Sequence, residues 1–179
     1  MKTRPGKLKE ELPLHIRSLY RYALALTRSD DDARDLVQDC CTVALDKQDL
    51  FEPGTNLRAW LFTIMHNRHV TRLRRRVQGV EHVPVNQAAR VSQPSNQIAR
   101  LEIRDLVAAM EQLDDEFSEV LVLVTVEGLS YKEVAEVLDL PVGTVTSRLS
   151  RARAQLRRLM AGSGRKAAGR VAAPLRVVK

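Results

Sequence analysis

Several things are scarce in this chain, and each scarcity excludes something. Cysteine is limited to one adjacent pair, Cys40 and Cys41. Neighbouring cysteines on a helix point about 100° apart, so a disulfide between them would be badly strained. No second spaced pair is present to complete a zinc site, and a buried apolar role is the expectation for at least one of the two. The basic N-terminus is not followed by the apolar run of a signal peptide. No stretch reaches the roughly 20 apolar residues of a membrane span, so a cytoplasmic protein is expected. A Gly-rich phosphate loop, His and Cys at metal spacing, and a nucleophile–base set are all missing. His15, His66, His69 and His82 are scattered. An enzyme is therefore not expected, and neither is a metal or cofactor. Aromatic residues make up only 4%, and the few Gly and Pro fall mostly between periodic segments.

What is abundant points to helices. Apolar residues make up 44% of the 179, enough for real cores. Leu, Ala, Val, Arg, Glu and Asp dominate, and all but Val and Asp are strong helix formers. The net charge is +7, from 29 Lys and Arg against 22 Asp and Glu. Such an excess suits a polyanionic partner, and its distribution says more than its size. Acid gathers over 30–39 and 111–119, base over 68–76 and 148–158. The alternation predicts separate surfaces with different partners.

Residues 1–10 are polar and basic, with only partial order expected. From Leu12, the residues Ile16, Leu19, Tyr20, Ala23 and Leu24 recur at helical spacing. Ser29-Asp30-Asp31-Asp32 ends that helix and offers N-caps to a second, which would bury Ala33, Leu36, Val37, Cys40, Cys41, Ala44 and Leu45. After the Pro53-Gly54 turn, Thr55 or Asn56 can cap a third helix. It carries Leu57, Trp60, Leu61, Ile64 and Met65 and runs on to Val77, with room for a break near Asn67. Residues 78–96 lose the periodicity and hold Gly79, Pro84 and Pro94, marking a flexible linker and the best domain boundary. Beyond it, Ile98 to Leu113 reads as a helix. The run Val120 to Val126 could be a strand by its β-branched content. Its acidic lead-in and the Gly128 stop favour a buried helix. Helices over about 130–138 and 143–160 follow, and the Gly-, Ala- and Arg-rich tail from Gly162 is expected to be disordered. The reading is an all-α chain of two small helical domains, 10–77 and 97–160, joined by the linker 78–96 and followed by a basic tail, 161–179.

The sharpest motif runs from Gly128 to Arg153. Ser130 and Glu133 form a capping box. Val134, Ala135, Val137 and Leu138 give an apolar face, Asp139 to Gly143 a short turn, and Val145 and Leu149 anchor the next helix. This is helix-turn-helix logic, in which the second helix enters the major groove. It would present Thr144, Thr146, Ser147, Arg148, Ser150 and Arg151 to base edges, with Arg153, Arg157 and Arg158 better placed for phosphates. In the N-terminal half, Arg68, Arg72, Arg74, Arg75 and Arg76 crowd one segment with His66, Asn67 and His69. A basic run of that density repels itself unless a polyanion lies alongside, and Asn67 could read an exposed base.

On these residues the chain, over about 12–160, resembles the extracytoplasmic-function (ECF) group of the sigma-70 family. The resemblance rests on Asp35-Leu-Val-Gln-Asp, on Phe51-Glu-Pro-Gly-Thr-Asn-Leu-Arg-Ala-Trp-Leu-Phe-Thr-Ile, on Asn67 before a basic helix, and on the Gly128 to Arg153 block. The Phe51 to Ile64 wording is especially similar to general-stress sigma factors of alpha-proteobacteria. The resemblance implies that Asp35, Gln38 and Asp39 bind the beta-prime clamp helices of core RNA polymerase, with the beta flap a further contact. His66, Asn67 and Arg68 would capture a flipped base of the minus-ten element, and Arg72, Arg74, Arg75 and Arg76 would hold phosphates near the melted strand. The linker would thread toward the RNA exit path. Thr144, Thr146, Ser147, Arg148, Ser150, Arg151 and Arg153 would engage the minus-thirty-five element of promoter DNA. With no sensory extension after residue 160, control is expected from a separate anti-sigma factor. Thr71 stands where many relatives carry Asp, Thr146 where Lys or Arg is frequent, and Ser150 where an aromatic or His is frequent. These departures bear on which promoter is recognised, not on the class. A ligand-responsive repressor could use the same C-terminal half, but residues 12–77 suit neither ligand binding nor dimerisation. An adaptor that never touched DNA would leave both Arg clusters unexplained.

Overall fold

The computed structural model describes residues 5–78 and 97–168; the linker positions from Gly79 on and the tail beyond Ala168 lie outside them. The described residues are helical throughout, with no strand. In chain order the helices are α1 (Pro5–Thr27), α2 (Asp30–Asp46), α3 (Leu57–Val77), α4 (Gln97–Glu111), α5 (Asp115–Leu121), α6 (Tyr131–Leu138) and α7 (Val142–Ala168). Helices α1, α2 and α3 pack on one another as a three-helix unit, while α4, α5 and α6 each pack on α7.

Helix α1 starts at Pro5, earlier than its periodicity suggests, and buries Leu8 as well as Leu12. Residues 5–10 are thus part of a helix. Pro13 lies inside it; its missing N–H removes one ladder bond, and the burial of Leu8 and Leu12 before it and of Leu19 beyond it holds the helix through that gap. Arg28 ends the helix in the left-handed region at φ 54 and donates its N–H to Leu24 O at 2.9 Å. Ser29 then caps α2, accepting from Asp32 N. Of the residues expected inside α2, Ala33, Leu36, Cys40 and Ala44 are buried, while Val37, Cys41 and Leu45 are half-buried.

Asn56 caps α3 through its side-chain oxygen, which accepts from the N–H groups of Arg58 and Ala59. Helix α3 continues unbroken through Asn67 to Val77. Its core face is Leu57, Leu61, Phe62 and Met65, with Trp60 only half-buried, tilted against Phe51 at 5.2 Å. Phe62 meets Tyr22 of α1 edge-on at 5.1 Å and 71°, and both are fully buried. Neither lies among the apolar positions that the spacing marks.

The β-branched run resolves as helix, with a twist. After α5 the chain widens into a π turn over Val122–Val126, and Gly128 closes it at φ 66. Bonds from Glu127 N to Val122 O and from Leu129 N to Leu123 O, both 3.0 Å, complete the closure. Crowded β-branched residues tolerate this wider turn, which buries Val122 and Leu123.

The capping box at the start of α6 is present in full. Ser130 Oγ accepts from Glu133 N at 3.2 Å, and Glu133 Oε2 accepts from Ser130 N at 2.8 Å. Ser130→Ala removes one half of it and is expected to cost about 1 kcal/mol of stability, measurable by urea denaturation; a loss below about 0.3 kcal/mol would mean that the Glu133 half suffices. Asp139, at φ 52, turns the chain sharply into α7, which extends past the predicted end at residue 160 to Ala168.

Candidate nucleic-acid and polymerase interface

The N-terminal site residues lie on α2 and α3, facing each other in part. Arg68, Arg72 and Arg76 recur every four residues and so share one face of α3. That face meets Asp39 and Asp32 of α2, two turns apart. Asp39 Oδ2 accepts from Arg72 at 2.6 Å and Arg68 at 3.3 Å, and Asp32 Oδ1 accepts from Arg76 at 3.1 Å. Burial pushes the Asp39 carboxyl upward, but the two guanidinium groups outweigh it and hold it below the usual range. The buried Nε atoms of Arg68 and Arg76 have no partner. Arg74, Arg75 and Asn67 are exposed, as are Asp35 and Gln38 on α2.

This revises the expectation of separate charged surfaces. Asp32 and Asp39 of the acidic stretch pair with three arginines of the basic one along a zipper, and the C-terminal half holds one such pair. There Arg148 of α7 pairs with Glu116 of α5 at 2.6 Å. Thr146, Ser147, Ser150, Arg151 and Arg153 are exposed along α7, and Thr144 is half-buried. The hydroxyls of Thr146 and Ser147 donate to the carbonyls of Val142 and Thr144, both at 3.0 Å, bonds that a rotation of the hydroxyl exchanges for an outside acceptor. Val145, Leu149 and Ala152 anchor the opposite face.

His66 does not face outward. Its Nδ1 lies 2.7 Å from Glu119 Oε1 of α5, and the Tyr22 hydroxyl donates to the same oxygen at 2.5 Å. Burial, then the Glu119 charge and hydrogen bond, raise the Tyr22 phenol well above its ordinary value, so it serves as a neutral donor. Burial lowers the pKa of His69, so it is neutral at pH 7 and adds no positive charge. Glu119, Tyr22, Arg21 and Glu127 were not visible as site residues in the sequence. Glu119 closes the acidic stretch 111–119, and nothing in that stretch marks it as buried.

Cys40 meets the expectation of a buried cysteine. Cys40 donates to Leu61 O at 3.4 Å, and burial pushes its thiol up to about 12. Cys41 is half-buried, its pKa also raised by burial. Both therefore stay protonated near neutral pH, the unreactive form.

Two family models cover most of the chain: the sigma2 domain of PhyR over residues 12–66, and sigma-70 region 4 over 103–156. The ECF RNA polymerase sigma factor EcfG of Rhodopseudomonas palustris is 37% identical over 153 residues, covering 86% of this chain and 84% of that one. The chain belongs to the ECF RNA polymerase sigma factors. Among solved structures, the sigma factor RpoE of Bartonella quintana, in complex with the anti-sigma factor NepR, is 36% identical. It superposes with a TM-score of 0.73 over 86% of this chain and 96% of its own. The structure of CnrH in complex with the cytosolic domain of CnrY follows at 30% identity and TM-score 0.63, over 87% and 88%. In this ECF sigma factor the region 4 match falls on α4 to α7, the region 2 match on α1 to α3, and among the described residues no helix is long and apolar enough to cross a membrane.

Proposed function

We propose that this sigma factor binds core RNA polymerase through Asp35, Gln38 and Asp39, and that it recognises promoters with α3 and α7. One observation carries the reading: a single chain presents two helices with exposed groups suited to DNA. On α3 these are Asn67, Arg74 and Arg75; on α7 they are Thr146, Ser147, Ser150, Arg151 and Arg153. Residues 10–77 would serve polymerase and the minus-ten element, 97–160 the minus-thirty-five element, with 78–96 as the tether and 161–179 adding basic charge. Arg68, Arg72 and Arg76 would release their α2 partners when phosphates compete. The protein would act by binding alone, in the cytoplasm, while polymerase supplies the active site. The anti-sigma complex of the B. quintana neighbour supports control by a separate anti-sigma factor, and a stress regulon fits the EcfG-like subgroup.

Multi-round transcription on a genomic fragment library, with core polymerase and with or without this protein, tests the reading. Discrete new start sites are expected; sequence-specific binding with no new transcripts would favour a repressor instead. Arg148→Ala is expected to reduce discrimination between the selected minus-thirty-five element and a scrambled one by about tenfold, within the ~1–3 kcal/mol of a good Arg–base contact. Its pair with Glu116 is partly exposed and contributes at most about 1 kcal/mol to folding. Competition binding with the two duplexes checks this, and unchanged discrimination would remove Arg148 from base reading.

A further inference from the structure

Glu127, whose side chain is fully buried, accepts from Arg21 Nε at 2.9 Å and Nη2 at 3.1 Å. With Glu119 on Tyr22 and His66, it holds α5 and the π turn against α1 and α3. The end of α1, the first turn of α2, the C-terminal half of α3 and the first residue of α5 then leave a cavity of about 230 Å³. Its walls carry three guanidinium groups, those of Arg28, Arg72 and Arg76, against two carboxylates, Asp32 and Asp115. His69 joins them, kept neutral by burial, so one of its ring nitrogens carries a proton to donate. Leu26 and Leu73 add apolar surface.

The three arginines differ in how fully they are engaged. Arg28 is committed to the fold: it donates to the carbonyls of Glu111 at 2.8 Å and Leu113 at 2.5 Å, and pairs with Asp115 at 2.6 Å. Arg72 and Arg76 each hold a carboxylate through Nη2, Asp39 at 2.6 Å and Asp32 at 3.1 Å. A guanidinium has five N–H donors, and Arg76 Nε is buried with no acceptor. A buried donor in that state is costly, and an incoming oxyanion relieves it. Arg72 and Arg76 stand one helical turn apart, about 6 Å between their Cβ atoms. Their long stems let the two forks converge on neighbouring phosphates, which a planar guanidinium binds in bidentate fashion. The carboxylates do not bar an anion. Asp115 is 84% exposed and the Arg76–Asp32 pair is partly exposed, so both pairs are weak and exchangeable. The volume falls below the ~300–1,000 Å³ of pockets that enclose drug-sized ligands. It fits a pair of phosphates, with any organic remainder lying outside.

We propose that this cavity binds a diphosphate group, free or carried by a nucleotide, with Arg72 and Arg76 as paired clamps and His69 as a further donor. The same two arginines are assigned to promoter phosphates above, so an occupant would compete with promoter DNA. That consequence, unlike the site itself, rests on the promoter reading.

The test titrates the full chain without DNA, at fixed ionic strength, with inorganic pyrophosphate, ADP and inorganic phosphate, followed by calorimetry. Saturable binding at one site per chain is expected for the first two, with inorganic phosphate weaker by about tenfold or more. ADP binding tighter than pyrophosphate would assign the site to a nucleotide, and the reverse to the free anion. Arg76→Gln is expected to weaken binding by about tenfold or more. Arg75→Gln, the same loss of charge at an exposed position of α3, should weaken it by less than about twofold. Leu73→Glu, exposed on the cavity wall, brings in a carboxylate and should abolish binding, which keeps the site testable if Arg76→Gln fails to fold. Equal losses in Arg75→Gln and Arg76→Gln would mean diffuse attraction to positive charge and overturn the site. Uptake that never saturates, or phosphate held as tightly as pyrophosphate, would overturn it too. With holoenzyme, saturating ligand is expected to lower affinity for a promoter duplex by about tenfold. Holoenzyme carrying Leu73→Glu should not respond, which separates this site from the polymerase's own. Ligand binding that leaves promoter affinity unchanged would overturn the competition, and with it the phosphate-holding role of Arg72 and Arg76, but not the site.

Discussion

Asn67→Ala is expected to leave initial promoter binding within about twofold of wild type and to slow open-complex formation by about tenfold or more. Asn67 is exposed on α3 next to the half-buried His66, and its backbone carbonyl accepts from Thr71 Oγ1 at 2.7 Å. Its amide has one donor and one acceptor edge to offer, the pattern that pairs with a base edge. Capture of an unstacked base matters only once the duplex has opened, so the loss falls on opening. The magnitude follows from the ~1–3 kcal/mol of a paired base contact, which is about 5–150-fold. Folding does not confuse the result, because Ala has the higher helix propensity at an exposed position, and the melting temperature should hold or rise. Permanganate reactivity of the melted strand, set against electrophoretic binding at low temperature, separates the two steps. Equal losses in both would make Asn67 an ordinary phosphate or folding residue.

What could be foreseen from the residues alone divides along range. Helices α2, α3 and α6 follow from periodicity and capping, because Ser29, Asn56 and Ser130 act on backbone groups two or three residues away. The helix-turn-helix follows for the same reason, its turn fixed by Asp139 and Pro141 beside α6. Local rules misplace the start of α1, where Pro13 and the charges of 7–11 argue against a helix that leucine packing then secures. They miss Tyr22 and Phe62, which lie off the expected apolar faces, and Glu119, which reads as part of a solvated acidic stretch. The partners of Glu119 stand 97 and 53 residues away, and spacing along a chain carries no term for a contact of that range. The charge zipper between α2 and α3 was within reach, since Asp32 and Asp39 match the recurrence of Arg68, Arg72 and Arg76. It was hidden because a DNA-binding role for the same arginines explained their density equally well.

The buried aromatic pair gives the largest expected effect on stability. Phe62→Ala removes a fully buried ring, its edge-on contact with Tyr22 and the wall against which Tyr22 is aimed at Glu119. Truncating a buried Phe to Ala costs about 3–5 kcal/mol, against a total of roughly 5–15 kcal/mol for a domain. At ~2–4 °C per kcal/mol for a chain of this size, the melting temperature should fall by on the order of 10–15 °C. Trp60→Ala, at a half-buried position on the same helix, should cost less than half as much, because water already reaches part of the ring. The difference between the two positions comes from burial rather than from ring size, since Trp is the larger residue. Loss of Phe62 should also slacken the Tyr22–Glu119 bond across the two units. Calorimetry is therefore expected to resolve the variant's unfolding into two steps, α1 to α3 melting ahead of α4 to α7, where the wild type shows one. A single transition shifted by less than about 3 °C would mean that the cavity collapses and that Phe62 is not the keystone of the N-terminal core. A single transition with the full shift would mean that the two units stay coupled through Arg21, Glu127 and the shared apolar core even without the aromatic pair.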